Sequence, residues 1–254
     1  VDEHRNAVVI GGASGIGRAI AAAFAANGYR VVVADRNAAQ AADVAAELGP
    51  PHTSAEADVT VEASVEALFA QTPDPLDAVV NCAGISAFAP IVDHDADQFR
   101  AVVDTCLTGG FLVLKHAGRR LRPGGAAVSL SSLNARQPAA ALSAYCAAKA
   151  GLSMLTQVAA LEWGERGVRV NAIAPGLVLT PLTEPALGVP GVVEDYVENT
   201  PLGRPGTVEE IAAAALFLCS DQAAWITGEV LDINGGAHLK RYPDVLGHVT
   251  KAFG

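Results

Sequence analysis

The sequence predicts an α/β protein on one doubly wound parallel sheet, with helices on both faces. Short apolar runs of strand length alternate with longer helix-like stretches along the whole chain. The strand-like runs are apolar throughout instead of alternating in and out, the pattern of strands covered on both faces. The 254 residues are 51% hydrophobic and 17% charged, which suits one domain with a sizeable core.

The elements follow in order. Residues 7–10 are the first apolar run, and 16–27 have helical character. Residues 30–34 read as a second buried strand, followed by an alanine-rich helix over 37–48. Further strands are expected at 53–57, 78–81, 126–130, 169–174 and 229–233. Helices fill the gaps at 61–72, 96–119, 145–166 and 208–220. No linker or repeat divides the chain, so residues 1–254 are expected to form a single domain. Residues 181–206 break the rhythm: Pro181, Pro185, Pro190, Pro201 and Pro205 alternate with glycines around Leu182, Leu187, Val189, Val192, Val193 and Tyr196. Such a long apolar insertion reads as a mobile lid over a pocket, or else as a packed surface loop. Residues 237–254 form a C-terminal extension.

Gly11-Gly12-Ala13-Ser14-Gly15-Ile16-Gly17 follows the first strand and opens the first helix. Glycines there permit a tight turn and let backbone approach a pyrophosphate, while the helix start offers unpaired N–H groups and a favourable dipole. A glycine-rich motif alone is weak; its strand–turn–helix context strengthens it. Asp35 ends the second strand, eighteen residues past Gly17. An acid in that place accepts hydrogen bonds from the adenosine ribose hydroxyls and repels a 2′-phosphate. NAD is therefore favoured over NADP. Arg36 is the counter-argument, since a guanidinium can pair with that phosphate, and Asp35 also suits an ordinary strand-end turn.

Tyr145 and Lys149 lie four residues apart, on one face of a helix. By itself this spacing is an ordinary helix face. Ser132 lies thirteen residues before Tyr145, at the end of a strand-like run. A free tyrosine has a pKa of about 10, and a cation held nearby favours the phenolate. Such a phenol can exchange a proton with a substrate oxygen.

The balance of 17 basic and 27 acidic residues gives a net charge of −10, against attraction to nucleic acid or anionic membrane. No apolar run has the length of a membrane span, and the amino terminus lacks the pattern of a signal peptide. Cys82, Cys106, Cys146 and Cys219 are widely spaced, as reduced cytosolic thiols are, so a cytoplasmic location is expected. No histidine pattern suggests a metal site.

These pieces together resemble the short-chain dehydrogenase/reductase family, in its single-domain branch of about 250 residues. The resemblance runs from Ala7 to about Gly236. It rests on Gly11 to Gly17, Asp58-Val59, Asn81-Cys82-Ala83-Gly84, Ser132, Tyr145 with Lys149, Asn171, Pro175-Gly176 and Thr180. It implies a Rossmann-type fold and hydride exchange between NAD(H) and a substrate carbon. Within the glycine loop it implies cofactor contacts from Gly11, Ser14, Gly15, Ile16 and Gly17. Asp35, Arg36, Asp58 and Val59 would meet the adenosine half. Asn81, Ala83 and Gly84 would pass along the cofactor, and Pro175, Gly176, Val178 and Thr180 would hold its nicotinamide end. Ser132 would position the substrate oxygen, Tyr145 would be the acid or base, and Lys149 would hold the nicotinamide ribose. It also implies a homotetramer or homodimer.

Three positions depart from the family pattern. Ile10 stands where threonine is usual. Cys82 replaces an asparagine. Cys106 stands where an asparagine often helps hold a water that relays protons to the lysine, and a thiol is a poor substitute.

Ile85, Ser86, Phe88, Leu133, Asn134, Leu142, Leu177 and the lid are the expected pocket lining. Their character points to a hydrophobic secondary alcohol or ketone. Arg136 reads as a solvated side chain or an anchor for an acidic group. The tail after Gly236 reads as a cover for its own chain or for a neighbour's pocket. Two other functions compete: a 3-oxoacyl-thioester reductase, and an NAD-binding sensor or scaffold with impaired catalysis, which Cys106 alone supports.

Overall fold

The computed structural model describes residues 5–253; residues 1–4, part of the amino terminus read above, lie outside the described residues. Seven strands form one sheet: β1 (Arg5–Ile10), β2 (Tyr29–Asp35), β3 (Thr53–Glu56), β4 (Leu76–Asn81), β5 (Leu121–Leu130), β6 (Arg169–Pro175) and β7 (Val230–Ile233). Their order is β3-β2-β1-β4-β5-β6-β7, and every pairing is parallel. The order reverses between β1 and β4, which opens a crevice beyond their carboxyl ends. The larger helices are α1 (Gly15–Ala26), α2 (Ala38–Leu48), α3 (Glu62–Gln71), α4 (Ala96–Val103), α5 (Gly109–Ala117) and α6 (Ser143–Trp163). After β6 come two short helices, α7 (Glu184–Leu187) and α8 (Val192–Glu198), then α9 (Val208–Cys219) and, in the tail, α10 (Val245–Phe253).

The pleat explains why the strands are apolar throughout. On β1, Ala7 and Val9 face a cluster with Ile20 and Phe24 of α1 and Leu218 of α9. Val8 and Ile10 face the opposite layer, with Val65 and Leu68 of α3 and Val113 of α5. Alternate residues thus feed two cores, and each fully buried aliphatic or aromatic side chain contributes about 1.5–3 kcal/mol. Edge strand β3 departs from the expected burial on both faces. Its Thr53, Ser54 and Glu56 are exposed, and it pairs with β2 alone. A short polar edge of this kind discourages pairing with another chain.

Two stretches differ from the expected elements. The helix expected over 96–119 contains a π-turn, Asp104–Thr108, between α4 and α5. Within that wider turn Cys106 is buried. The tail, for which the sequence offered no element, folds as α10. Val245 packs with Val189 and Val192, so the tail covers its own chain. Residues 181–206 fold as α7 and α8 on a base closed by a bridge between Val178 and Gly206.

Candidate active site

The glycine turn works by close approach. Gly11 has φ +71°, and a side chain there would lie 2.8 Å from the Ala83 nitrogen. A side chain on Gly17 would overlap the Gly11 carbonyl. Only bare backbone lets α1 start this near the ends of β1 and β4. Ser14 occupies the N-cap position of α1 without a capping side-chain bond, which leaves its hydroxyl and the first N–H groups for an anion.

Asp35 is held by the Ala13 N–H at 3.2 Å and the Asn37 N–H at 3.0 Å. Asp58 Oδ1 accepts from the Thr60 hydroxyl at 2.7 Å and its N–H at 2.9 Å. Those two bonds hold the Asp58 pKa below its ordinary 3.8 against the opposing effect of burial, with a smaller contribution from Arg36. Gly11, Ser14, Asp35, Arg36, Asp58 and Val59 line a cavity of about 530 Å³, joined by Ala83 and Gly84 at the end of β4. Asn81 lines neither this cavity nor the next. It is buried, and its Oδ1 accepts from the Ala83 N–H at 3.1 Å, which shapes the turn from below.

A second cavity of about 170 Å³ is lined by Gly15, Ile16, Gly17, Ser132, Tyr145 and Lys149, and also by Pro175, Gly176, Val178 and Thr180. Lys149 is 3% exposed, and its Nζ donates to the Leu130 carbonyl at 2.6 Å. That bond offsets part of the cost of burying an ammonium. The same Nζ lies 5.6 Å from the centre of the Tyr145 ring. Ser132 Oγ accepts from the Asn134 N–H at 3.1 Å. The sequence did not single out Ser131 and Ser153, which pin α6 to the end of β5. Their hydroxyls lie 2.7 Å apart, and each reaches the Lys149 carbonyl. Cys82 also lines this cavity. Burial pushes its thiol up to about 12, with Lys149 acting weakly in the other direction.

A third cavity, of about 370 Å³, shares Ser132, Tyr145, Pro175, Gly176, Leu182 and Thr183 with the second. Of the expected lining, Ser86, Phe88, Leu133, Asn134, Leu142 and Leu177 are present, while Ile85 lies instead in the 530 Å³ cavity. Leu182, Pro185, Ala186, Val189 and Tyr196 of the insertion close one side, and Tyr242, Val245 and Val249 of the tail close another. Arg136 does not reach this cavity; it is ion-paired with Asp232. Asp195 on α8 holds insertion and tail together. Its carboxylate, 5% exposed, accepts from the Arg241 side chain at 2.6 Å, the Asp244 N–H at 2.8 Å and Asn199 Nδ2 at 2.8 Å. No local motif marks Asp195 or Tyr242, whose contacts between insertion and tail span 46 residues or more.

Among the described residues no cluster of side chains could hold a metal ion, and no helix is long and apolar enough to cross a membrane.

A doubly wound parallel sheet with a glycine turn at its switch point defines a dinucleotide-binding α/β protein. Ser132 and Tyr145 stand between the second and third cavities, with Lys149 on the second alone. A family model described as enoyl-(acyl carrier protein) reductase matches residues 11–238. The D-threitol dehydrogenase of Mycolicibacterium smegmatis is 40% identical over 242 residues, 92% of this chain and 93% of that one. A short-chain type dehydrogenase/reductase from Mycobacterium ulcerans has a solved structure that superposes with a TM-score of 0.94 at 35% identity, covering 98% of this chain and 95% of that one. A putative 2-deoxy-D-gluconate 3-dehydrogenase from Agrobacterium tumefaciens, solved with bound NADP, superposes with a TM-score of 0.86 at 33% identity, covering 93% of this chain and 97% of that one. The chain belongs to the short-chain dehydrogenase/reductase family.

Proposed function

We propose that the protein interconverts a secondary alcohol and a ketone with NAD(H), on a substrate whose carbon body is largely apolar. The observation that carries this reading is that Ser132 and Tyr145 line both the cofactor-side cavity and the 370 Å³ cavity. A substrate oxygen between them meets two hydroxyls at the boundary. The nicotinamide, when bound, exchanges a hydride with the substrate carbon. Ser132 already accepts from the Asn134 N–H, so its own proton is free to donate to the substrate oxygen. Tyr145 gives that oxygen a proton in reduction and takes one in oxidation. Lys149 has spent one of its three donors on Leu130, leaving two for a ribose hydroxyl and the relay.

The cofactor preference rests on a corner with two carboxylates and one guanidinium. A 2′-phosphate that met Arg36 would face Asp35 and Asp58 in the same cavity. The expected kcat/KM ratio favours NAD over NADP by about tenfold or more, and Asp35→Ser is expected to narrow it. The apolar lining supports the hydrophobic substrate. Exposed Met154, Val158 and Leu161 form a stripe on α6, with Phe111 exposed on the adjoining α5. They support a homotetramer or homodimer, which light scattering tests. The four unpaired cysteines support a reducing, cytoplasmic location.

The deciding experiment is Tyr145→Phe, assayed on a panel of alcohols and ketones by NADH absorbance. Turnover is expected to fall on the order of 10²–10⁴-fold, with NADH binding retained in a fluorescence titration. Near-normal turnover would overturn the assignment. NADPH preference with acyl-thioester turnover would favour the 3-oxoacyl reductase, and binding without turnover of any substrate would favour the sensor.

A further inference from the structure

The substrate cavity carries a polar feature that proton and hydride transfer do not use. Tyr196 of α8 and Tyr242 of the tail bring their phenol oxygens to 2.6 Å, with the rings edge to face, 5.8 Å apart at 81°. Both line the cavity that Ser132 and Tyr145 also line. The Tyr242 hydroxyl reaches on to Asn134 Oδ1 at 3.5 Å. The Asn134 side chain is oriented by its own Nδ2, which donates to the Gln137 carbonyl at 3.2 Å. Next to each phenol in sequence stands one half of an ion pair, Asp195 beside Tyr196 and Arg241 beside Tyr242. The two rings are therefore fixed by a second cross-chain contact and do not depend on their own hydrogen bond to meet.

A count of protons says what this pair offers. Each phenol has one proton to donate and lone pairs to accept. With the Tyr242 proton given to Asn134 Oδ1, which can only accept, the 2.6 Å contact takes its proton from Tyr196. That leaves the Tyr196 oxygen with acceptor capacity and, among the described residues, no side-chain or backbone donor that fills it. Burial pushes the pKa of both phenols up, and a charge on Tyr145 would push each further, so both stay neutral. The wall of an otherwise apolar pocket thus presents a neutral, fixed acceptor, whose natural complement is an O–H donor on the ligand.

We propose that the Tyr196–Tyr242 pair is a second recognition point, accepting a hydrogen bond from a substrate hydroxyl other than the one that reacts. The preferred substrate is then a diol or hydroxy ketone with an apolar ring or chain between its two oxygens. This rests on the alcohol–ketone reading above and deepens it. A site built to bond a hydroxyl discriminates against the analogue lacking it far more than an apolar pocket discriminates by size.

The test compares cyclohexanol with the cyclohexanediols whose second hydroxyl is two or three carbons away, using the full chain saturated with NAD. Wild type is expected to show kcat/KM for at least one diol about tenfold or more above that for cyclohexanol. Tyr196→Phe is expected to bring that ratio close to one, mainly through a raised KM for the diol. Tyr242→Phe keeps the Tyr196 oxygen but frees its proton, and is expected to lower the ratio by a smaller factor. Equal losses on diol and mono-ol in both variants would show a merely structural role and overturn the proposal. Equal use of mono-ol and diols by wild type would overturn it while leaving the alcohol reading intact. Turnover of neither class by wild type would overturn both.

Discussion

The proposed cofactor half and the proposed substrate half of the site are built by opposite means. The cofactor half is backbone packed on backbone. Gly11 passes against Ala83, Gly17 against Gly11, and Asp35 is held by N–H groups two and twenty-two residues away. The substrate half is side chain on side chain across long separations. Asp195 meets Arg241, Tyr196 meets Tyr242, and Val245 packs on Val189 and Val192. The first half tolerates no added atom and the second depends on the atoms it has, so the two should fail under different substitutions.

The largest effect is expected from adding one carbon to the cofactor half. In Gly17→Ala the new methyl would overlap the Gly11 carbonyl, which is backbone and cannot swing aside. The expected cost is roughly 3 kcal/mol of stability or outright loss of NADH binding, since overpacking near backbone falls at the high end of its usual range. The same carbon in the insertion, Gly188→Ala, meets nothing nearer than the Pro185 carbonyl at 3.8 Å, with φ −74°. It is expected to be neutral or to stabilise by about 0.5 kcal/mol. Thermal unfolding and NADH fluorescence on the pair check the contrast, and similar losses at both positions would break it.

This contrast also explains what the sequence could reveal. Strand runs, the glycine turn, Asp35, Ser132 and the Tyr145–Lys149 spacing are local patterns, so their physical requirements show in neighbouring residues. The seven strands lie where the apolar runs predicted them, within a few residues at their ends. The π-turn at Cys106 left no such trace, because a helix with one wider turn keeps nearly the same apolar spacing. Edge strand β3 was expected to be buried like the other strands, although Thr53, Ser54 and Glu56 are polar; its position at the sheet edge is a property of the whole order. Tyr242 and Asp195 were illegible as site residues for the same reason: a contact spanning 46 residues is specified by topology.

A middle-sized effect is expected at the clasp between insertion and tail. Burial by itself would raise the Asp195 pKa, but the Arg241 side chain, the Asp244 N–H and His248 outweigh burial and hold it below its ordinary 3.8. A carboxyl with a depressed folded pKa stabilises fully above its unfolded value, and that contribution fades as pH falls through the folded one. The clasp should therefore be intact at neutral pH and weaken only below about pH 4. Asp195→Asn is expected to cost about 1–3 kcal/mol at pH 7, to raise KM for the alcohol, and to leave NADH binding unchanged. Its Tm deficit against wild type should shrink toward pH 3. A deficit constant across that range, or a matching loss of NADH affinity, would show that the two halves are not independent.

The smallest effect concerns Cys106, which lies near Lys149 at the end of β4. A side chain on Gly84 would lie 3.5 Å from Lys149 Nζ and 3.6 Å from Cys106 Sγ, so ammonium and thiol face the same small space. The thiol donates to the Ile85 carbonyl at 3.4 Å, a long and weak bond. The family resemblance puts an asparagine here, whose amide both donates and accepts where the thiol does either poorly. In Cys106→Asn the added carbonyl enters beside a lysine with unspent donors and gives a relaying water a second partner. The expected outcome is a kcat gain of about two- to tenfold near neutral pH where proton release limits turnover, well below the roughly 10²–10⁴-fold that a general acid or base itself contributes. KM should be little changed, and the solvent deuterium effect on kcat should fall. Cys106→Ala serves as the control for packing, since it empties the same space in the cluster with Val102, Ala144 and Ala148 without adding polarity. A gain in both variants would point to packing. A gain in neither would mean that protons leave Lys149 by a path that does not pass Cys106.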